Sequence, residues 1–465
     1  MKAAVLNVGL DWGTHSSKWW YSVSSDQHDL NGEETQGPKI LARVIDSTVH
    51  RKGDALFLFH ERSYGPAEIR DSHLKRLLLS DPMGANYWHA VREGLGISLG
   101  EAAALILCTM LSDMYSCLVA EGVELADSTK IKFRYSLPNW TDSTPDHVVA
   151  RKRMFQTTVV ATCLLRQHGW GSLPKVGEPV SLQGWRDRIR EAQQDTEATR
   201  LMAASPGSFA ELVEQEYSIA GYSWRLAAES SAAGFMPLNH LLRNVSPRSM
   251  AQKHWVKLLV VDVGAGSTDA GYFISSRNVN DKHLIFNYLP PALTLDYAGE
   301  KLTEMLREHV RRTKRRDISR AEAETMKVSA PEEWINEDFA VDWRKRIAKS
   351  VAEYIFRVPD QSRLSEAGIP GLKIVVTGGS GVVEGLDTTI RAEVYEALFN
   401  RPEVPQAVAG RTEVIPLVSP INDPVDAARR AVSTGAAHPS FADLKYTERM
   451  EGGEPVIYRV QNRWV

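Results

Sequence analysis

Cysteine is scarce in this sequence. The three present, Cys108, Cys117 and Cys163 in 465 residues, form no Cys-x-x-Cys pair. That excludes a disulfide framework and a Cys-based zinc centre and fits a reducing compartment, so a cytoplasmic location is expected. An excess of one charge is also missing. Lysine and arginine number 55 against 58 aspartates and glutamates, a formal net charge of −3. Affinity for nucleic acid or an acidic membrane cannot come from net charge, and neither is expected as a partner. No apolar run is long enough for a bilayer. The longest, Ala102–Leu111, has about half the roughly 20 residues that a spanning helix needs and reads as a buried helix segment. The apolar start, Met1–Leu10, runs straight into Asp11 without a small-residue cleavage site, and reads as a first strand rather than a signal segment.

What is present is globular. Hydrophobic residues make up 43% and charged residues 24%, enough apolar material for a core and too little charge for disorder. At about 150 residues per domain, the length predicts roughly three domains or one large two-lobed body. Apolar runs at Val5–Leu10 and Lys18–Val23 flank the turn Asp11-Trp12-Gly13-Thr14, which predicts a hairpin. A capping box at Ser98–Glu101 opens a long helix running to Gly122, and a strand over Lys130–Leu137 stops at Pro138. Residues 140–228 read as an elaboration, with helices over His147–Leu165, Gly184–Met202 and Ser208–Tyr217. A second hairpin follows: a strand ending at Val261, the turn from Asp262 to Thr268, then Asp269 and a strand over Ala270–Ile274. Beyond it come a helix near Gly299–Arg312, a charged helical zone to Arg357, and a strand Lys373–Thr377 before the turn Gly378-Gly379-Ser380-Gly381. Asp423-Pro424 starts a last helix. Only 28 residues remain after Ala437, too few for another sandwich domain of about 100 residues.

An aspartate ending a strand, followed by a turn rich in glycine and hydroxyls, suits phosphate. Glycine lets backbone amides approach the oxygens, and Thr14 or Ser267 adds a hydroxyl. The carboxylates of Asp11, Asp262 and Asp269 would hold Mg²⁺ largely through waters, because magnesium takes few direct protein ligands. One such turn alone would most often be an ordinary hairpin; two in one chain, with a third glycine turn at Gly378, argue for a clamp on a polyphosphate. Lys75 and Glu229, taken without that context, would be a solvated helix lysine and a surface or capping carboxylate. Arg311–Arg316 reads as a solvated basic face at a helix end. Glu324 and Lys327 read as an i, i+3 surface pair. Trp12, Trp19 and Trp20 read as packing residues.

Together these segments resemble the ATPase superfamily of actins, sugar kinases and 70-kDa heat-shock proteins. Leu10–Thr14 is similar to its first phosphate motif, Val261–Asp269 to its second, and Val375–Gly381 to its adenosine motif, in the right order along the whole chain. The resemblance implies an α/β, two-lobed actin-like fold of duplicated ribonuclease H-like sheets flanked by helices, with ATP or ADP and Mg²⁺ in a central cleft. It divides the chain into lobe I over 1–254, lobe II over 255–437 with its last helix, 423–437, packing back on lobe I, and a tail over 438–465 in place of a peptide-binding domain. Smaller matches favour the heat-shock branch. His73–Leu78 resembles the segment with that family's catalytic lysine, here Lys75. Tyr135–Trp140 resembles the strand end with its switch proline. Ala228–Gly234 resembles the run whose glutamate, here Glu229, couples metal, water and lobe movement. Tyr297–Glu300 resembles a nucleotide-contacting turn.

The resemblance thus implies Lys75, Glu229 and Asp262 as catalytic residues. It implies Asp11, Asp262 and Asp269 at the metal. Around the nucleotide it implies Gly13, Thr14, His15, Lys18, Gly264, Ala265, Gly266, Ser267, Gly299, Glu300, Glu324, Lys327, Gly378, Gly379 and Ser380. Departures from the heat-shock pattern are His15 for a threonine, Ala265 for a glycine, Ser267 for a threonine, and Val382 where an adenine-stacking arginine is expected. Lys18 is more like sugar kinases and some bacterial actins. The expected function is slow ATP hydrolysis whose lobe opening and closing regulates a protein partner, bound by way of residues 140–228. The alternatives are an actin-like filament former of the plasmid-partitioning or cell-shape type, a small-molecule kinase, and a pseudo-ATPase scaffold.

Overall fold

The computed structural model describes residues 2–24, 37–39, 44–60, 69–71, 74–80, 87–140, 144–204, 208–244, 253–278, 284–357, 371–400, 411–446, 449–451 and 454–456. His73 and, within the tail 438–465, residues 447–448, 452–453 and 457–465 lie outside them. The chain is mixed α/β and divides into two compact units. The first takes Met1–Ala228 together with Val432–Ala442 and Asn462–Val465; the second takes Glu229–Ala431 and Asp443–Gln461.

In the first unit, β1 (Lys2–Trp12) and β2 (Ser16–Ser24) form the predicted hairpin, longer at both ends than its apolar runs. With β3 (Ile45–Asp46), β4 (Glu124–Leu137) and β5 (Tyr222–Ala228) they give the order β3-β2-β1-β4-β5. The two pairs on the β3 side are antiparallel, and the two on the β5 side are parallel. Parallel neighbours need a crossover, which the helix Pro145–His168 supplies between β4 and β5. In the second unit, β6 (Lys253–Val263), β7 (Thr268–Asn278), β8 (Leu284–Leu295), β9 (Leu372–Thr377) and β10 (Glu413–Val414) stand in the order β8-β7-β6-β9-β10. Their senses repeat the first unit's: two antiparallel pairs, then two parallel. The same arrangement of five strands therefore occurs twice, each within a six-stranded sheet: Tyr217–Ile219 adds antiparallel to β5 in the first, and Leu444–Tyr446 adds parallel to β8 in the second. The strand β8 has no counterpart in the sequence reading because Pro290 and Pro291 interrupt it. Proline cannot donate to a ladder, and the β7–β8 register slips at that point, between Ala270 and Tyr272.

Each unit has its own apolar core. In the first, the helix Leu99–Ala120 carries both halves of the capping box, Ser98 Oγ accepting from the Glu101 amide and Glu101 Oε2 accepting from the Ser98 amide. This helix is long and apolar enough by composition to cross a membrane, but most of it is buried among Leu6, Val8, Tyr21 and the helix Pro145–His168. Trp12, Trp19, Trp140, Trp185 and Trp224 are fully buried there, and Phe133 stacks on Trp224 at 4.5 Å. Residues 140–228 are woven into this core, because Val159, Leu164, Trp185 and Ile189 all belong to it. The predicted Gly184–Met202 helix is two, Leu182–Gln194 and Thr196–Ala203, broken at Asp195, whose Oδ1 accepts from the Glu197 and Ala198 amides and so caps the second.

Residues Val432–Ala442 close the first unit. Gly9 on β1 lets them approach, since a Cβ there would overlap the Ser433 carbonyl. Arg134, buried, donates to the carbonyls of Ala436 and His438 at 2.6 Å each, and Arg225 donates to that of Ala442 at 3.0 Å. Both guanidinium groups lie over the Phe441 ring, at 5.5 and 5.9 Å.

Candidate functional site

The β1–β2 turn is closed by the Gly13 amide donating to the Ser16 carbonyl at 3.1 Å, and the strand register sets Asp11 opposite Lys18. Lys18 Nζ lies 3.0 Å from Asp11 Oδ2, while Ser136 Oγ donates to Asp11 Oδ1 at 3.1 Å. Both charged side chains are largely removed from water, so salt screens their attraction little. Ser47 holds the turn from outside, its Oγ donating to the Gly13 carbonyl at 2.8 Å and its amide to the His15 carbonyl at 2.9 Å. Thr14 and His15 sit half-buried on the turn. Lys75 belongs to the same unit, on the short helix Leu74–Ser80, and is only 6% exposed, which sets aside a solvated helix lysine.

The β6–β7 turn in the second unit has the same build. The Gly264 amide donates to the Ser267 carbonyl at 2.9 Å, and the register sets Asp262 opposite Asp269. Where the first turn pairs a carboxylate with a lysine, the second places two carboxylates across from each other. Asp269 is fixed by Ser267 Oγ on Oδ2 at 2.8 Å and by Thr294 Oγ1 on Oδ1 at 2.7 Å. Three further segments named from the sequence gather here. The amides of Gly299 and Glu300 donate to the carbonyls of Gly264 and Ala265, at 3.1 and 2.7 Å, and the Ser380 amide donates to the Val263 carbonyl at 2.9 Å. Gly378 has φ +87°, and a Cβ on it would overlap Asp262 Oδ1 and the Val263 carbonyl, so this tight approach requires glycine.

Glu324 and Lys327 do form the i, i+3 pair, at 2.8 Å, but not on an open surface. The Lys327 side chain is 13% exposed, and its Nζ donates to the Gly299 carbonyl at 3.2 Å, which brings it to the same helix start. Burial is the largest influence on its ammonium and holds its pKa below the ordinary lysine value, against the pull of Glu324. Arg320 Nη2 donates to Glu300 Oε1 at 3.1 Å. Glu229 is the first residue of the helix Glu229–Arg243 in the second unit and is buried, so it is not a surface carboxylate. Gly266 lies in the β6–β7 turn, and Gly379 is exposed beside Gly378.

The chain matches no protein-family model, and no curated protein matches it significantly.

The second unit thus assembles Asp262, Gly264, Ala265, Ser267, Asp269, Gly299, Glu300, Glu324, Lys327, Gly378 and Ser380 through backbone and side-chain bonds. The first unit holds Asp11, Gly13, Thr14, His15, Lys18 and Lys75. Among the described residues no group of three or more His, Cys, Asp or Glu is placed to hold a metal ion. The Asp262–Asp269 pair still offers what magnesium takes from a protein, one or two hard oxygen donors with water and phosphate completing the shell. Partners that sequence reasoning missed are Ser47, Ser136 and Thr294. Single hydroxyl residues carry no spacing signal, and Thr294 lies on the proline-interrupted strand. The thiols are not candidates for nucleophiles: burial is the main influence that pushes Cys117 up to about 12 and Cys163 up to about 11. The basic run is a surface of ion pairs, Arg311 and Arg312 with Glu308, Lys314 with Glu333, and Arg316 with Glu322.

Proposed function

We propose that this chain is a two-unit, Hsp70-like ATPase that binds ATP with Mg²⁺, hydrolyses it slowly, and uses the change between nucleotide states to regulate a protein partner. The observation that carries the reading is the repeated turn. Asp11-x-Gly13-x-x-Ser16 and Asp262-x-Gly264-x-x-Ser267 close with the same amide-to-carbonyl bond, on the same strand of the same five-strand order. A glycine turn of the same build in each copy of a duplicated sheet suits phosphate oxygens in each unit, and it supports an actin-like, duplicated fold.

The roles follow from the side chains. Turn amides around Gly13, Thr14, Gly264, Ala265 and Gly266 would receive phosphate oxygens. Asp11, Asp262 and Asp269 would hold Mg²⁺ by way of water, and the buried Lys75 would offset charge on the transferred phosphoryl group. Glu229 would couple the metal's waters to the helix it begins. Such a reaction needs positioning and charge stabilisation rather than a covalent nucleophile. ATP turnover and thermal shift with Mg²⁺, measured on the wild type, Lys75→Ala and Asp262→Ala, test it. The wild type should release phosphate without an added acceptor. Lys75→Ala should bind ATP and lose turnover, and Asp262→Ala should lose the Mg²⁺-dependent thermal shift. A wild type that binds but does not hydrolyse ATP would replace the enzyme with a pseudo-ATPase scaffold.

One observation favours a second reading, an actin-like filament former: Lys18 is paired with Asp11 at the turn, the position at which the sequence is more like sugar kinases and some bacterial actins than like heat-shock proteins. Sedimentation with ATP separates the two, because a filament former shows a critical concentration and a heat-shock-type ATPase does not.

A further inference from the structure

The helix Leu386–Phe399 carries two stripes of residues on different faces. Leu386, Ile390, Val394 and Leu398 follow one another four apart and are buried in the core of the second unit. Turned away from them are Thr388, Ala392, Tyr395 and Phe399, all exposed, at spacings of four, three and four. That is the spacing of a heptad seam, along which one helix packs on another. Tyr395 is 39% and Phe399 42% exposed, and their rings stack on each other with centroids 5.6 Å apart. A single apolar residue on a surface is ordinary, but two large rings side by side on a seam mark a contact surface. The seam is flanked by charges of opposite sign. Arg391 stands on one side, its Nε donating to the Thr412 carbonyl at 3.2 Å, and the exposed Glu396 stands on the other.

From this pattern we infer that the exposed face of the helix pairs with the same face of a second copy of the chain, the two helices parallel about a two-fold axis. The flanking charges select both the partner and the direction. In a parallel pair, the residue just before one seam position lies near the residue five further along on the other helix, which sets each Arg391 against Glu396 of the second copy. An antiparallel pair would set arginine against arginine and glutamate against glutamate. A two-fold contact uses the same surface on both copies and closes as a dimer, so it builds no filament. So short a seam buries less than the roughly 800 Å² per partner of a standard interface, and the dimer is therefore weak. The pairing does not depend on the ATP-binding reading above.

Sedimentation equilibrium of the full chain without nucleotide, over a wide range of protein concentration, tests it on the wild type, Phe399→Ser, Glu396→Arg, and Glu396→Arg combined with Arg391→Glu. The wild type should pass from monomer to dimer with no critical concentration. Phe399→Ser should remove the dimer. Glu396→Arg, which leaves the bond from Arg391 to the Thr412 carbonyl in place, should weaken it about tenfold, because two attractive pairs become repulsive. The combined charge exchange should restore the dimer to within about threefold of the wild type. All three substituted side chains are exposed, so Phe399→Ser and Glu396→Arg should keep the wild-type thermal midpoint. A wild type that stays monomeric throughout overturns the inference and leaves this face to a different protein. A dimer that Phe399→Ser or Glu396→Arg leaves intact overturns it as well, as does a folded combined variant that pairs no better than Glu396→Arg alone.

Discussion

Lys327 shows how one side chain can carry both a structural and a functional meaning. It closes an ion pair with Glu324 and caps the Gly299 carbonyl, yet burial keeps its ammonium easier to deprotonate than a lysine in water. The unfolded chain therefore holds this proton more tightly than the folded one. Below the lowered folded value the penalty is constant. Between that value and the ordinary one, near 10.4, the unfolded state binds more protons and stability rises with pH. In urea melts from about pH 7 to about pH 10, the stability of the wild type relative to Lys327→Met should increase with pH. A difference independent of pH would show that the lysine is not strained by burial. The Asp11 carboxylate has two partners, Lys18 and Ser136, of which only Lys18 was singled out from the sequence.

At the scale of elements, the β6–β7 turn, the start of the helix Gly299–Lys314 and the turn after β9 are joined by backbone hydrogen bonds. Their geometry depends on glycine at one point more than at others. Gly378→Ala should cost about 1–3 kcal/mol from the left-handed backbone alone, with more from the overlap on Asp262. Gly379→Ala, whose Cβ would make only an ordinary contact, should be close to neutral. Urea midpoints of the two variants check this, and equal losses would mean that the Gly378 approach is not tight. Much of this architecture was legible. The two hairpins, the capping box at Ser98 and the last helix at Pro424 carry local signals of period, turn chemistry and capping. What was not legible depended on tertiary context. The strand β8 carries two prolines, and the break at Asp195 is a cap that reads from sequence as one more charged helical residue. The bond from the Gly378 turn to Ala428 joins residues about fifty apart, by a carbonyl that every residue has.

At the scale of the whole molecule, the duplication is the main fact. Five strands in one order and sense occur in each unit, and residues Val432–Ala442 return to the first unit, where Arg134 and Arg225 clasp them. The sequence suggested the duplication through its repeated Asp-x-Gly turns but not the clasp, because a buried arginine that binds carbonyls looks from sequence like any other charged residue on a strand. The functional claim stands or falls on nucleotide binding. The most direct measurement is calorimetric titration of the full chain with ATP in the presence of Mg²⁺ and again in the presence of a chelator. Our account predicts saturable one-to-one binding that requires Mg²⁺ and is lost in Asp269→Ala. Absence of binding in the wild type, or binding that neither Mg²⁺ nor Asp269 affects, would contradict it.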